Sequence, residues 1–224
     1  MIHDYDRSHW FGASDSKYIM DAAQNSKSFN DWWNIKCGIK GNNFYGNIYT
    51  KAGNTFEHSI LKTWNPVIQL DRQIIVPSLR LRVNLDGNLA DEIFEVKTYQ
   101  IDKEFKVTDA YYYQAQIQML GWKLEPSIQF TECEGCPSVY GKNPTLRKHT
   151  ILAYGLYPDE YYAAYTDEQI EKGEIPIEKD RIKAIVIKPS NGVQRRAKKN
   201  LRKLSKKLRK EETWLSEAKN FTET

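Results

Sequence analysis

The sequence predicts an α/β domain in which a central mixed β-sheet is flanked by helices and followed by a basic C-terminal helix. Three observations support this fold class: a strand-like alternation in the middle of the chain, amphipathic helical segments around it, and a long basic stretch near the end. A length of 224 residues suits one well-packed domain. We expect residues 1–190 to form this domain, and residues 191–224 to be a helical extension that belongs to it or packs on it.

The N-terminal third is predicted to be helical. A first helix covers residues 17–23, with Ser14 or Asp15 as its cap, and a second covers residues 29–39. A third begins near Asn54 and ends before Pro66, which cannot continue a helix.

Strands dominate the middle of the chain. Residues 79–85 alternate between apolar and polar side chains, Asp86-Gly87-Asn88 has the composition of a turn, and residues 92–99 form the antiparallel partner strand. A helix over residues 109–122, capped by Asp109, follows this hairpin. The remaining predicted elements are strands near residues 127–131, 150–154 and 181–188, with a long loop over residues 133–148.

The C-terminal stretch is strongly basic. Ten Lys or Arg and no acidic residue lie within residues 194–210, in a chain whose net charge is only +4. The rest of the chain is therefore acidic overall, and this asymmetry favours a polyanionic partner. An apolar stripe at helical spacing runs through the same stretch: Val193, Ala197, Leu201, Leu204 and Leu208. Two interpretations stay open: a helix that clamps a phosphate backbone while its leucines pack on the body or on another subunit, or a solvated, partly frayed terminal helix.

Composition argues against several other classes of protein. No apolar run approaches the roughly 20 residues that span a bilayer, and the polar N-terminus lacks the core of a signal peptide, so we expect a cytoplasmic protein. Three cysteines are too few for a disulfide framework. Cys133 and Cys136 have the spacing of half a zinc knuckle, but we interpret them as ordinary loop cysteines, and an iron–sulfur cluster would need a fourth cysteine.

The candidate chemistry lies around the predicted hairpin. Glu95 and Lys97 are two residues apart on a strand and project from the same face. Asp86 ends the neighbouring strand and can approach them. Two carboxylates beside a lysine suit a hard cation such as Mg²⁺ or Mn²⁺, and the lysine can hold a phosphate or help deprotonate a water. An isolated E-x-K pattern is more often a surface salt bridge, but here the charges lie between apolar strand positions.

Four blocks, in order, resemble the PD-(D/E)XK nucleases, and within them the phage lambda exonuclease and YqaJ-like viral recombinase family. They are Arg7 with Gly12-Ala13-Ser14-Asp15, then Gly53-Asn54-Thr55-Phe56-Glu57, then Asp86-Gly87 with Glu95-Val96-Lys97-Thr98, and last Tyr112-Tyr113-Gln114-Ala115-Gln116-Ile117-Gln118-Met119. Leu85 stands where many relatives have proline, and the resemblance fades after residue 122. It implies a restriction-endonuclease-like core.

The resemblance also implies roles for individual residues. Asp86, Glu95 and the Val96 carbonyl would bind metal, Glu57 would lie near the metals, and Lys97 would be the catalytic lysine. Gln116, in preference to Gln114, would lie beside that lysine. Arg7 and Ser14 would contact a DNA phosphate, although Ser14 serves equally well as a plain helix cap. From the basic helix, the candidate phosphate contacts are Arg195, Arg196, Lys199 and Arg202.

Three further questions concern residues near the candidate site. Which acidic residue supports a second metal is open, with Asp91 and Glu92 near the hairpin but able to face solvent. His58 points about 100° away from Glu57 on a helix and is left out of the site. Base stacking by Tyr111, Tyr112 and Tyr113 is possible, but packing in the core is favoured.

For function, the resemblance implies Mg²⁺-dependent 5′→3′ digestion of linear duplex DNA, with two ions and with Mn²⁺ as a substitute. The product would be a 3′ single strand for a phage recombinase that anneals single strands, in a phage or prophage setting, and a ring-shaped trimer is implied. The alternatives are an endonuclease or single-strand nuclease on the same core, and a DNA-binding module without cleavage.

Overall fold

A computed structural model describes most of the chain: residues 8–21, 26–41, 46–125, 128–130, 139–141, 145–146 and 148–222. The helices in this part are α1 (Ser16–Met20), α2 (Lys27–Lys36), α3 (Ile48–Trp64), α4 (Asp109–Leu124), α5 (Asp167–Lys172) and α6 (Asn191–Thr222). The strands are β1 (Gln69–Val76), β2 (Leu81–Leu89), β3 (Glu92–Gln100), β4 (Ile128–Phe130), β5 (Val139–Gly141), β6 (Lys148–Leu156) and β7 (Ile182–Ile187). None of the described helices combines the length and apolar character that crossing a membrane requires.

The central sheet has the order β1-β2-β3-β6-β7 and is mixed, because β3 pairs in parallel with β6 while the other pairs are antiparallel. Two apolar clusters cover its faces. One gathers buried side chains of α1, α2, α4 and α6, and the other is built largely from α3, β6 and the segments that follow β6. The predicted fold class is confirmed.

The hairpin has a different turn from the one predicted. Its two turn residues are Ala90 and Asp91, with Ala90 at φ 45°, and β2 continues through Asp86 and Gly87 to Leu89. Gly87 is required for packing: a Cβ there would lie 2.6 Å from Ile68 Cγ2 and 3.1 Å from Leu61 Cδ2. The glycine therefore lets α3 and the segment after it approach the sheet. It does not belong to the turn that was predicted at this position.

Helix boundaries also differ from the prediction at their starts. Asn47 caps α3 by accepting from the Thr50 amide at 2.9 Å, so the helix begins earlier than Asn54. Thr108, not Asp109, caps α4 through the Tyr111 amide. Strand β1 was missed, because its mixed burial gives no clean alternation.

Helix α6 packs along the body. Ala197, Leu201, Leu204 and Leu208 are buried in the cluster that also holds α1 and α4. Ser205 donates a 2.6 Å hydrogen bond to the Leu79 carbonyl. The apolar stripe therefore faces this chain's own core, and the interpretation of α6 as a frayed, solvated helix does not describe these residues.

Candidate active site

Strands β2 and β3 separate at the candidate site. Their ladder pairs only Gly87 with Phe94, Asn88 with Ile93 and Leu89 with Glu92. At the next position a side chain replaces the backbone partner: Asp86 Oδ2 accepts a hydrogen bond of 2.8 Å from the Val96 amide. The fork between the strands thus brings Asp86 against β3, as the sequence predicted, although Asp86 lies within a strand and not at its end.

Glu95 is 5% exposed and is held by three donors. Lys97 Nζ and Gln114 Nε2 lie 2.5 Å and 2.6 Å from its Oε1, and Gln118 Nε2 lies 2.5 Å from its Oε2. Burial alone would raise the pKa of Glu95, but the Lys97 ammonium and the hydrogen bonds outweigh it, and the pKa is lowered. Glu95 is therefore an ionised, fixed carboxylate.

Lys97 remains a cation. Burial would lower its pKa, but the charges of Glu95 and then Asp86 raise it above its usual value. Its Nζ also lies 5.3 Å from the centroid of the Tyr111 ring, a cation–π contact. Tyr111 itself is half-buried against the core, consistent with the favoured packing role.

The structure corrects the placement of Gln116. Its amide donates to the Lys188 carbonyl at 2.9 Å and accepts from the Ser190 amide at 2.8 Å, so Gln116 ties α4 to the start of α6. Residues four apart share a helix face, whereas residues two apart point in nearly opposite directions. Gln114 and Gln118 therefore both face Glu95, and their spacing in the sequence was a signal for this.

A second layer of hydrogen bonds lies behind Glu95. Gln118 Oε1 is 2.6 Å from His149 Nε2, and because Gln118 uses its NH₂ group toward Glu95, the histidine must donate. Burial lowers the pKa of His149 to about 4, so the ring is neutral with its proton on Nε2. Nothing in the sequence singled out His149.

The carboxylates of Asp86 and Glu57 have pKa values above the ordinary range. Burial, followed by the charges of Glu57 and Glu95, raises the pKa of Asp86 well above its usual value. Burial, followed by Glu95 and Asp71, raises the pKa of Glu57 to about 8. The charge of Glu57 on α3 therefore interacts with those of Asp86 and Glu95, and also with that of Asp71 on β1.

His58 and Asp71 form a compact cluster with Glu57. One ligand atom from each of the three residues lies within 4.8 Å of the others. The trio Asp86, Glu95 and Glu57 is not gathered as tightly as this. His58 was set aside from the sequence, and Asp71 carried no signal because it comes from the missed strand β1.

The two acidic residues near the hairpin turn do not join this cluster. Glu92 lies 3.0 Å from Lys148 Nζ and accepts from the Thr150 hydroxyl. Asp91 is half-buried in the turn itself.

The proposed DNA contacts are spread over the surface. Ser14 is exposed, and the cap position belongs to Asp15, whose carboxylate instead binds the Gly12 amide, Trp32 and Lys36. Arg195, Lys199 and Arg202 are exposed on α6. Arg196 is exposed too, but donates to the Met20 carbonyl at 2.9 Å. Arg7, Cys133 and Cys136 lie outside the described residues.

Comparison with solved structures places this fold among exonucleases. An alkaline exonuclease from Laribacter hongkongensis matches with a TM-score of 0.61 and 13% identity over 96% of both chains. The same enzyme in complex with dAMP gives 0.64 and 13%, over 99% of this chain and 100% of the other. A phage-related exonuclease from Haemophilus somnus 129PT gives 0.56 and 17%, over 93% and 96%. The fold implied by the sequence resemblance is therefore confirmed. No family model and no curated protein matches the sequence.

Proposed function

We propose that this protein is a divalent-metal-dependent deoxyribonuclease that uses Asp86, Glu95 and Lys97. The observation that carries the proposal is the cluster at the fork of β2 and β3, where the buried carboxylate of Glu95, the half-buried carboxylate of Asp86 and a charged lysine meet. The nuclease fold of the compared structures supports it independently. The cluster is an observation about side chains, whereas the fold comparison concerns the course of the backbone. The two observations therefore support the proposal separately.

The donor set fits a divalent cation. Burial raises the pKa values of Asp86 and Glu57, the charges of neighbouring carboxylates raise them further, and Lys97 alone does not balance these effects. Carboxylate oxygens suit Mg²⁺, and Mn²⁺ substitutes for it. Asp86, Glu95 and the Val96 carbonyl would hold the ion, with Glu57 beside a second one. A bound ion would lower the pKa of a water and offset charge on the phosphate.

The other roles in the proposed reaction belong to side chains and backbone groups of the protein itself. Gln114 and Gln118 fix the rotamer of Glu95, so that one carboxylate edge keeps its direction. Lys97 carries a full positive charge and is suited to bind the scissile phosphate, in preference to taking a proton from water. The amide of Val96 orients Asp86. The reaction is attack of water on phosphorus in line with the leaving oxygen.

We further propose that the substrate is the end of linear duplex DNA and that digestion runs 5′→3′, leaving a 3′ single strand for a phage-type annealing recombinase. The exonuclease fold and the four sequence blocks support this choice over an endonuclease or a single-strand nuclease on the same core. A ring-shaped trimer belongs to the same proposal. The intact set of Asp86, Glu95 and Lys97 argues against a binding module without cleavage, since a degenerate nuclease would be expected to lose at least one of them.

DNA contact would come from Ser14, from the exposed cations Arg195, Arg196, Lys199 and Arg202, and from Arg7. Their charge suits phosphate contacts that do not depend on sequence. In this proposal α6 is an integral part of the nuclease domain, because its apolar stripe is buried in the same cluster as α4.

The test is digestion of linear duplex DNA labelled separately at each end, next to closed circular plasmid, with Mg²⁺, with Mn²⁺ and with EDTA. Lys97→Ala is the informative variant, because it removes the phosphate-binding charge. Lys106→Ala is its control, since Lys106 is an exposed lysine paired with Glu104. We expect loss of 5′ label, intact circles, and a rate for Lys97→Ala reduced by roughly 10²-fold or more, as for other removed transition-state contacts.

Other outcomes separate the alternatives. Cut circles would support the endonuclease and end the recombination proposal. Intact substrates with wild type in both metals, combined with DNA binding that persists in EDTA, would replace the nuclease by a binding module.

A further inference from the structure

A row of three aromatic rings leads away from Lys97 over the end of β3. The centroid of the Tyr111 ring lies 5.3 Å from Lys97 Nζ, and the Phe105 ring stacks on Tyr111 with centroids 6.1 Å apart and an interplanar angle of 7°. Tyr99 follows, with its centroid 5.4 Å from that of Phe105. All three residues are half-buried, so each keeps part of its surface in contact with solvent. We call Tyr99, Phe105 and Tyr111 the aromatic row.

The register of the sheet places a cation at each end of this row. Tyr99 follows Lys97 by two residues on β3, so both side chains project from the same face, about 7 Å apart along the strand. Across the sheet, Lys97 is paired with Ala153 of β6, and Ala153 with Lys183 of β7. Residues paired in this way share a face, and Lys183 Nζ lies 5.2 Å from the centroid of the Tyr99 ring. The aromatic row therefore begins at Lys97 and ends at Lys183.

Packing in the core does not account for the outer end of the row. Phe105 and Tyr111 pack against the apolar cluster that holds α4, whereas Tyr99 belongs to neither of the two apolar clusters formed by the described residues. Lys183 is exposed, and its ammonium pairs with no carboxylate in the part of the chain that the structure describes. The outer end of the row thus combines a partly exposed ring with a cation whose charge is not neutralised.

Such a surface suits a single strand of DNA. Every base has a π face that stacks on an aromatic ring without regard to sequence, and cations beside the rings neutralise phosphates. The faces of a base within a duplex are covered by its neighbours, so only an unpaired nucleotide can stack on Tyr99. Lys183 carries its charge on a flexible stem, which allows the ammonium to leave the ring for a phosphate when a base takes its place.

We propose that the aromatic row and Lys183 form a subsite for unpaired nucleotides of the substrate strand, with a base stacked on Tyr99 and a phosphate beside Lys183. The subsite rests on the proposed function in one respect: Lys97 marks the scissile phosphate, from which the strand runs along the row to Lys183. The ring of Tyr99 and the charge of Lys183 do not themselves depend on cleavage, so binding at the subsite is measured without it.

The test is binding of a single-stranded oligothymidylate that carries one 2-aminopurine, a fluorescent base whose emission falls when it stacks, in Ca²⁺ to prevent cleavage. We expect wild type to quench the fluorescence at particular positions along the strand. Tyr99→Leu should abolish the quenching and weaken binding by at least about fivefold, the contribution of one stacked base. Tyr99→Phe keeps the ring and should restore both. Tyr162→Leu is the matched control, because Tyr162 is an exposed tyrosine outside the row.

Lys183→Gln keeps the test decisive if Tyr99→Leu fails to fold, because Lys183 is exposed and its replacement leaves the core intact. The slope of log affinity against log salt should fall by roughly 0.7 for the phosphate that is no longer neutralised, while the quenching persists. Lys172→Gln is its control, since Lys172 is an exposed lysine on α5 that pairs with Glu168.

Equal quenching and affinity for wild type and Tyr99→Leu, or equal salt slopes for Lys183→Gln and Lys172→Gln, would overturn the proposal. The proposed function and the subsite fail separately. A wild-type protein that quenches 2-aminopurine but cleaves no DNA in Mg²⁺ or Mn²⁺ refutes the nuclease alone, whereas an active wild-type protein without quenching refutes the subsite alone.

Discussion

The carboxylate of Asp86 accepts a hydrogen bond of 2.8 Å from the Val96 amide at the position where the β2–β3 ladder stops. This contact replaces a strand-to-strand bond by a side-chain bond. It holds the two strands apart while keeping Asp86 beside Glu95 and Lys97. The fork and the charged cluster are therefore one feature of the fold, and several measurable consequences follow from how it is supported.

Substitutions at Gln118 and Gln116 should have different effects, because Gln118 supports the candidate active site whereas Gln116 anchors α6. Gln118→Ala deprives Glu95 Oε2 and His149 Nε2 of the amide that binds them, whereas Gln116→Ala removes the bonds to Lys188 and Ser190. Each loss of a buried partner costs roughly 1–3 kcal/mol of stability. We expect Gln118→Ala also to lower kcat per folded molecule. Gln116→Ala should lower the urea midpoint and leave kcat nearly unchanged. Equal kcat values for the two variants would contradict this division.

His149 should make stability depend on pH. Its pKa is lowered from 6.5 to about 4 by burial, so below pH 6.5 the unfolded chain binds a proton that the folded chain refuses. Stability from this group is present above pH 6.5 and falls by up to about 1.4 kcal/mol per pH unit as the pH drops toward 4. Because other groups also titrate in this pH range, the contribution of His149 is measured as a difference in stability between two proteins.

The difference is taken between wild type and His149→Gln in urea unfolding at several pH values. The variant loses a hydrogen bond at every pH, but it also loses the protonation penalty. The stability gap should therefore shrink between pH 7 and pH 4.5, and a gap that stays constant would show that His149 is not a buried neutral histidine.

Gly87 should be intolerant of even one added methyl group. An alanine Cβ would lie 2.6 Å from Ile68 Cγ2, and overpacking of this kind costs roughly 1–3 kcal/mol. Gly192→Ala is the control, because no atom in the described part of the chain lies within 4 Å of a Cβ at that position. Thermal unfolding of the two variants measures the effect. A melting temperature for Gly87→Ala as high as that of Gly192→Ala would mean that α3 and the sheet are less closely packed than the 2.6 Å approach requires.

The exposed cations of α6 should contribute to DNA binding through salt-dependent phosphate contacts. Replacing Arg195, Lys199 and Arg202 by alanine should reduce the slope of log affinity against log salt by up to roughly 0.9 for each phosphate that is no longer neutralised. The measurement is fluorescence anisotropy with labelled duplex in Ca²⁺ or EDTA. A triple variant at the exposed Lys40, Lys172 and Lys179 removes the same charge elsewhere. If both triple variants change the slope equally, α6 is not a specific DNA-contact surface.

Local patterns in the sequence predicted much of this protein. The period-two spacing placed Glu95 and Lys97 on one face of β3, and the spacing of Leu201, Leu204 and Leu208 predicted an apolar stripe on α6, which the structure shows to be buried. Such patterns succeed because burial of one face repeats with the period of the element. They failed for β1, whose charged residues interrupt the alternation, and for Asp86-Gly87-Asn88, where the glycine serves packing and not a turn.

The sequence by itself determined the fold class, and it predicted that Asp86, Glu95 and Lys97 lie close together because all three belong to one hairpin. Only the tertiary structure decided which side chains complete the site. Gln118 in place of Gln116 follows from the rotation of α4 against the sheet, and His149 from the parallel pairing of β3 with β6. These contacts join residues far apart in the chain, and helix rotation and strand register are set by packing of the whole core.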